Sequence, residues 1–303
     1  MLNGLDLEPY GVQQRATAWR APISTRRHPV AIPGLHGDLL ASRLPVFGPP
    51  IVTWHLWHDS DSPAAISQAT DIIVSALAQP DLTLTRSLLT AGGRVEHSAR
   101  AELVSVDWGD YMLRSHARAT IVFSVPGVVF RDGNTTPWTA LVGSGLTATI
   151  PHLSDSTGPI PDAIIRFTGP ITNPSITDTN SGTSLSWTGT VAAGEYLFLD
   201  ASRLTARKAG ADAWLSGGSL VGSVDYGGDG PLQLWPAIVT VGGSYTVTPL
   251  SPGMLLSPST LLIPDGAPSG QGDSLGRQVQ VQVSGSGMTA ATQVAVRAEG
   301  SYL

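Results

Sequence analysis

The chain has 303 residues, among them 34 glycines and 23 prolines, well above the roughly 12% that these two residues usually share. Charged residues make up 13% and hydrophobic residues 42%, which implies a turn-rich chain that buries a core and excludes disorder by composition. A net charge of −6 lacks the basic footprint of a nucleic-acid binder, and the absence of cysteine excludes disulfides, thiolate nucleophiles and Cys-based zinc sites.

Residues 1 to 45 carry short apolar bursts between Pro9, Gly11, Pro22, Pro29, Pro33, Gly34, Gly37 and Pro45, which predicts short strands and ordered loops. Val46 to His58 is β-branched and aromatic towards its end and predicts a strand. One helix follows. Ser62 suits the N-cap and Pro63 the first turn, Ile66, Ala69, Ile72, Ile73, Ala76 and Leu77 recur at helical spacing, and Pro80 stops it. Leu82 to Leu89 reads as a strand. Arg94 to Trp108 and Tyr111 to Val125 read as a long hairpin turning at Gly109-Asp110.

The longest mostly apolar run, Ile121 to Phe130, is interrupted by Ser124, Pro126 and Gly127 and falls short of the ~18 residues of a membrane span. No membrane insertion is expected. The first six residues have neither a basic start nor an apolar stretch, so no secretory signal is expected and synthesis in a cytoplasm is.

Pro126-Gly127 and Asp132-Gly133-Asn134 mark the expected boundary of a first domain, and a length of 303 residues suits two domains. Beyond it, Ala163 to Thr168, Ser175 to Thr177, Ser184 to Thr190, Glu195 to Leu199, Leu232 to Trp235 and Ile238 to Thr248 recur as short strand candidates between turns, as in an antiparallel β-sandwich. Residues 251 to 274 read as loop. Val279 to Val283 alternates and takes Thr292 to Ala298 as its expected hairpin partner.

Motifs for chemistry are sparse. His55 and His58, three apart on a strand, point to opposite faces and fit no zinc spacing. There is no Gly-x-Ser-x-Gly elbow and no phosphate loop. Asp225 to Gly230 has the carboxylates of a calcium loop without its closing glutamate, so a surface loop is expected. Trp187, Trp214 and Trp235 are the candidate glycan contacts of the sandwich, against the plainer role of filling its core. No catalytic, cofactor-binding or metal-binding residue is assigned, and no enzyme activity is expected.

Two stretches carry a resemblance. Arg26-Arg27-His28-Pro29 with Ile32-Pro33-Gly34-Leu35-His36-Gly37 resembles the N-terminal signature of phage distal tail proteins. Phe167-Thr168-Gly169-Pro170-Ile171-Thr172-Asn173-Pro174, continuing through Asn180-Ser181-Gly182 to Ala193-Gly194-Glu195-Tyr196-Leu197-Phe198-Leu199-Asp200, is similar to the second domain of the same family. The resemblance, which covers about residues 1 to 250, implies a mainly β fold: residues 1–128 as a tail-tube-like β-sandwich or partial barrel with one flanking helix and residues 129–250 as a galectin-like β-sandwich; residues 251–303, read from their own alternation as a small C-terminal β extension, depart from the family by lying beyond its usual length.

It also implies a structural virion protein of the tail tip of long-tailed, siphovirus-type phages. Such a protein forms a hexameric ring that joins the tail tube to the baseplate hub and lets DNA pass through its lumen. Expected partners are further copies of the chain, the tail tube protein and the hub protein, with the tape measure protein and side fibres as additional ones. No cofactor and no sequence-specific nucleic acid is expected. The alternative is a host-glycan-binding tail module that uses the sandwich for adsorption.

Overall fold

The computed structural model describes residues 2, 12–16, 24–26, 29–31, 38–40, 44–90, 93–112, 116–141, 147–212, 214, 218–240 and 275–303. Most of the Arg26–Gly37 motif lies outside them. The fold is mainly β, with one α-helix and several antiparallel sheets and without a closed barrel among the described residues.

The first body opens with β1 (Val12–Ala16), followed by the short strands β2 (Thr25–Arg26), β3 (Pro29–Ala31), β4 (Asp38–Leu40) and β5 (Val46–Phe47). Strand β6 (Ile51–Asp59) is separated from β5 by Gly48-Pro49-Pro50, so the single strand expected over Val46 to His58 is two. Proline lacks the N–H that a continuous ladder needs. Helix α1 (Pro63–Leu77) begins where expected: the Ser62 hydroxyl accepts from the Ala65 N–H at 3.4 Å, and the helix is capped at Ala78, two residues before Pro80. Its buried residues, Ile66, Ala69, Ile73, Ala76 and Leu77, form one stripe.

Next come β7 (Leu82–Thr90), β8 (Gly93–Met112), β9 (His116–Ser124) and β10 (Phe130–Arg131). The 20-residue β8 pairs with β7 through Gly93–Ala101 and with β9 through Glu102–Met112. It runs straight through Gly109-Asp110, where the turn was expected, and the register shifts between Trp108 and Tyr111 instead. Burial explains the difference. Ala117, Ala119, Ile121 and Phe123 of β9 all face the core, this face sets the register, and the extra residues of β8 are taken up as an irregularity in the ladder. The same core holds Trp54 and Leu56 of β6 and Ala69, Ile73 and Leu77 of α1. Full burial of a side chain such as Phe123 contributes about 2–3 kcal/mol.

The second body contains β11 (Trp138–Leu141), β12 (Thr147–Thr149), β13 (Ile164–Thr168), β14 (Ile171–Asp178), β15 (Ser184–Ser186), β16 (Thr190–Val191), β17 (Tyr196–Asp200), β18 (Thr205–Ala209), β19 (Ser219–Ser223), β20 (Asp225–Gly227), β21 (Ala237–Thr240), β22 (Leu275–Gln278), β23 (Gln280–Ser286) and β24 (Gln293–Arg297). A last strand, β25 (Ser301–Tyr302), pairs with β10 of the first body. One six-stranded sheet has the order β11-β24-β13-β17-β18-β19 and the other β12-β23-β14-β15-β20, with β16 on β14. Their inner faces share one core, which includes Ile165, Phe167, Leu197, Leu199, Val294 and Val296 from the first sheet and Ile171, Ile176, Leu185, Val281 and Val283 from the second.

This topology overturns three expectations. Residues 275–303 are no appendage, because β23 and β24 lie between other strands of the two sheets. Nor do β23 and β24 form a hairpin: β23 pairs with β12 and β14, and β24 with β11 and β13. Two buried valine faces, each flanked by a strand on both sides, are satisfied only in the interior of a sheet. Asp225–Gly227, expected in a surface loop, is strand β20 against β15.

The second resembling stretch folds into strands β13 to β17 joined by tight turns. The Gly169-Pro170 peptide is cis, and a Cβ on Gly169 would lie 2.1 Å from the Ala192 carbonyl oxygen. Asn173 has φ +49° at a register shift in the β14–β23 ladder, and its Oδ1 accepts from the Gly189 N–H. The β14–β15 turn is closed by the fully buried Asp178, whose Oδ2 accepts from Ser181 N at 2.7 Å and whose Oδ1 accepts from Trp235 N at 3.2 Å. Burial raises its pKa, and these donors act in the opposite direction. Asp178→Ala would leave two backbone N–H groups without acceptors, so it is expected to cost about 2 kcal/mol. The readout is a lower denaturant midpoint at unchanged slope.

Candidate functional site

Two features stand out as places where the molecule can engage others or hold itself together. The first is a pair of strand edges, β1 and the second half of β8, that have one ladder partner each among the described residues. In the order β1-β6-β9-β8 each neighbour is antiparallel, so β1 and β8 run in opposite directions. Beyond Ala101, β9 is the ladder partner of β8 among the described residues. Glu102, Leu103, Val104, Ser105, Asp107 and Gly109 are exposed there, Val104 to 57%. Val104 sits at a register shift between Leu103 and Ser105. An edge of this length with apolar side chains is a template for pairing with another chain.

The second feature is the joint between the bodies. Ser301, fully buried, has every polar group partnered: its N–H donates to Ser156 Oγ (3.1 Å), its carbonyl accepts from Thr157 N and Gly158 N (2.8 and 3.0 Å), and its hydroxyl donates to the Pro159 carbonyl (2.8 Å). Next to it, the Tyr302 ring stacks on His97 of β8, with centroids 3.6 Å apart and planes at 14°. Tyr302 Oη donates to Asp132 Oδ2, while Asp132 Oδ1 accepts from Gly300 N. Arg86 of β7 lies over the Phe130 ring at 4.3 Å and reaches the Leu303 backbone oxygen. Arg131 pairs with Asp162 at 3.0 Å and donates to the Glu299 carbonyl. A cleft of about 410 Å³ opens beside this joint, lined by Ser98, Arg100, Arg131, Asp132 and Glu299 among others.

Burial and then the positive Arg86 hold the His97 pKa below 6.5, against the pull of Asp132. Burial and the Asp132 carboxylate push the Tyr302 phenol far above its ordinary value of 10. At neutral pH the stack is therefore one of two uncharged rings.

The candidate tryptophans occupy separate surroundings. Trp187 packs against the sandwich core and over Gly189. Trp214 lies against Phe198 and under the guanidinium groups of Arg166 and Arg297, at 5.1 and 6.0 Å. Arg166 is also paired with Asp212. Trp235 meets Phe47 of the first body, with ring centroids 6.0 Å apart. His55 hydrogen-bonds Thr120 on one face of β6, and His58 is buried on the other. No group of three or more metal-ligating side chains occurs among the described residues.

No family model matches the sequence, and no curated protein matches it. Among solved structures, the crystal structure of the Dit protein of phage SPP1, titled a paradigm of the hub adsorption apparatus in phages that infect Gram-positive bacteria, aligns over 100% of this chain and 98% of its own. Its TM-score is 0.53 at 10% identity. The two share a fold. Two structures of the phage p2 baseplate in its activated conformation, with Sr and with Ca, align over 75% of this chain and 87% of theirs, at 11% identity and TM-scores of 0.35 and 0.34.

The sequence marks Asp132-Gly133-Asn134 as part of a domain boundary but does not show the joint built on Asp132. Asp132 and Tyr302 are 170 residues apart, and no local spacing announces their contact. Because His97 is harder to protonate in the folded chain than in the unfolded one, its contribution is complete above about pH 6.5 and is lost as the pH falls towards its lowered pKa. Neither ring nitrogen of His97 has a hydrogen-bond partner, so His97→Phe is expected to keep the stack and flatten the fall in melting temperature between pH 7 and 5. Parallel profiles for variant and wild type would contradict this.

Proposed function

We propose that the chain is a structural distal tail protein of a long-tailed phage, an adaptor between the end of the tail tube and the baseplate hub. The observation that carries the proposal is the run of antiparallel strands β1-β6-β9-β8, in which, among the described residues, β1 pairs only with β6 and the Glu102–Met112 half of β8 only with β9. Because β1 and β8 run in opposite directions, β8 of one copy and β1 of the next meet as an antiparallel pair when copies are related by rotation. Repetition of that contact is head-to-tail and closes a ring at a fixed angle. The copy number of six comes from the family resemblance. The fold shared with the SPP1 Dit protein over the whole of this chain supports the same role.

Charge is compatible with passage of DNA through the ring. Each copy carries −6, and an acidic assembly repels the phosphate backbone and lets it slide. Adsorption to a host glycan through Trp187, Trp214 and Trp235 has less support, since the three rings lie in separate surroundings and Trp187 serves the core. No catalytic role is proposed.

Light scattering of the purified chain is expected to give about six times the protomer mass of 31.5 kDa. Val104→Lys puts a charge on the exposed edge of β8 and is expected to shift that mass to the protomer while leaving the melting temperature within about 1 °C, as a surface change outside the core should. An assembly that survives Val104→Lys unchanged would place the contact elsewhere.

A further inference from the structure

The chain passes between the two bodies twice, outward between Arg131 and Trp138 and back between Arg297 and Ser301. The outward crossing is thin: residues 133–137 are exposed, and its described hydrogen bonds are the local ones from Asn134 N to Asp132 and from Thr136 N to Asn134. A single tether of this kind leaves two domains free to reorient. We infer that the return segment Glu299–Leu303 is a lock that holds the two bodies at one orientation, and that without it both stay folded but swing about residues 132–137.

The segment is gripped from both sides. The second body holds it through Ser156, Thr157, Gly158 and Pro159 on Ser301, and through Thr157 Oγ1, which accepts from Leu303 N at 2.8 Å. The first body holds it through the Phe130–Tyr302 and Arg131–Ser301 pairs, the His97 stack, Asp132 and Arg86. Glycines permit close approach on each side. A Cβ on Gly158 would stand 2.9 Å from Leu303 Cγ, and one on Gly300 would stand 2.6 Å from Asp132 Oδ2.

The architecture separates this task from that of building either core. Strand β25 has two residues and ends the path β8-β10-β25, at the edge of its sheet. None of residues 299–303 belongs to the sandwich core. Tyr302 packs on the first core from outside. Arg131–Asp162 and Phe47–Trp235 also cross between the bodies, but the first is partly exposed to solvent and the second is one tilted ring contact. Neither matches the number of hydrogen bonds and ring contacts that Glu299–Leu303 makes to both bodies at once. The lock is a property of the single chain and holds whether or not copies assemble.

The absence of native cysteine makes the test direct. Val74→Cys on α1 and Leu220→Cys on β19 place spin labels on exposed positions of the two bodies, and the labelled full-length chain is diluted with excess unlabelled chain. Pulsed electron resonance is expected to give one narrow distance distribution in this background. Adding Tyr302→Ala with Asp132→Ala should broaden it at least twofold, and calorimetry should resolve two transitions in place of one. A distribution that stays narrow in the double variant overturns the lock. So does a chain truncated after Gly300 that fails to fold, since the segment would then be part of a core.

Discussion

Every interior strand of a sheet must satisfy its backbone on two edges, and in the second body that requirement reaches across most of the chain. The ladders of β13 and β14 are completed by β24 and β23, and Ser175 meets Ser284 across 109 residues. Until the last thirty residues are in place, Ile165 and Phe167 lack the valine neighbours of β24, and Ile176 lacks those of β23. The sandwich core is thus closed by the C-terminus, and contacts of such separation carry a high entropic cost in folding.

From that constraint the joint follows. A chain whose final strands must thread the second body leaves it at Arg297, and its last residues are then available to the first body as β25. Polar groups on this return path are satisfied almost completely, as buried groups must be. The two ring nitrogens of His97 on the facing strand stand outside that pattern. There an imidazole serves as a flat apolar surface for Tyr302, and its uncharged state is enforced by burial and by Arg86.

Where residues 275–303 close edges, other strands keep a one-sided ladder among the described residues. Strand β8 is long enough to serve two ladders in succession, with β7 and then with β9. In its second half it has a neighbour on one side among the described residues. Exposed Leu103 and Val104 are what an isolated monomer would be expected to avoid.

By itself the amino-acid sequence determined the elements that depend on neighbours: helix α1 with its Ser62 cap, the alternation of β9, the Gly169-Pro170 bend, the irregularity at Asn173 within β14 and the turn at Asp178–Gly182. These rest on φ limits, proline and glycine chemistry and side-chain period, all of which act over a few residues. Tertiary structure alone decided that Gly109-Asp110 is passed through instead of turned, because burial of Ala117 to Phe123 outweighs a weak turn signal. It also decided that residues 275–303 complete both sheets and that Tyr302 meets His97 and Asp132. Pairing partners for a β edge are chosen by backbone groups common to every residue, so their identity is written in the whole fold and in no local pattern.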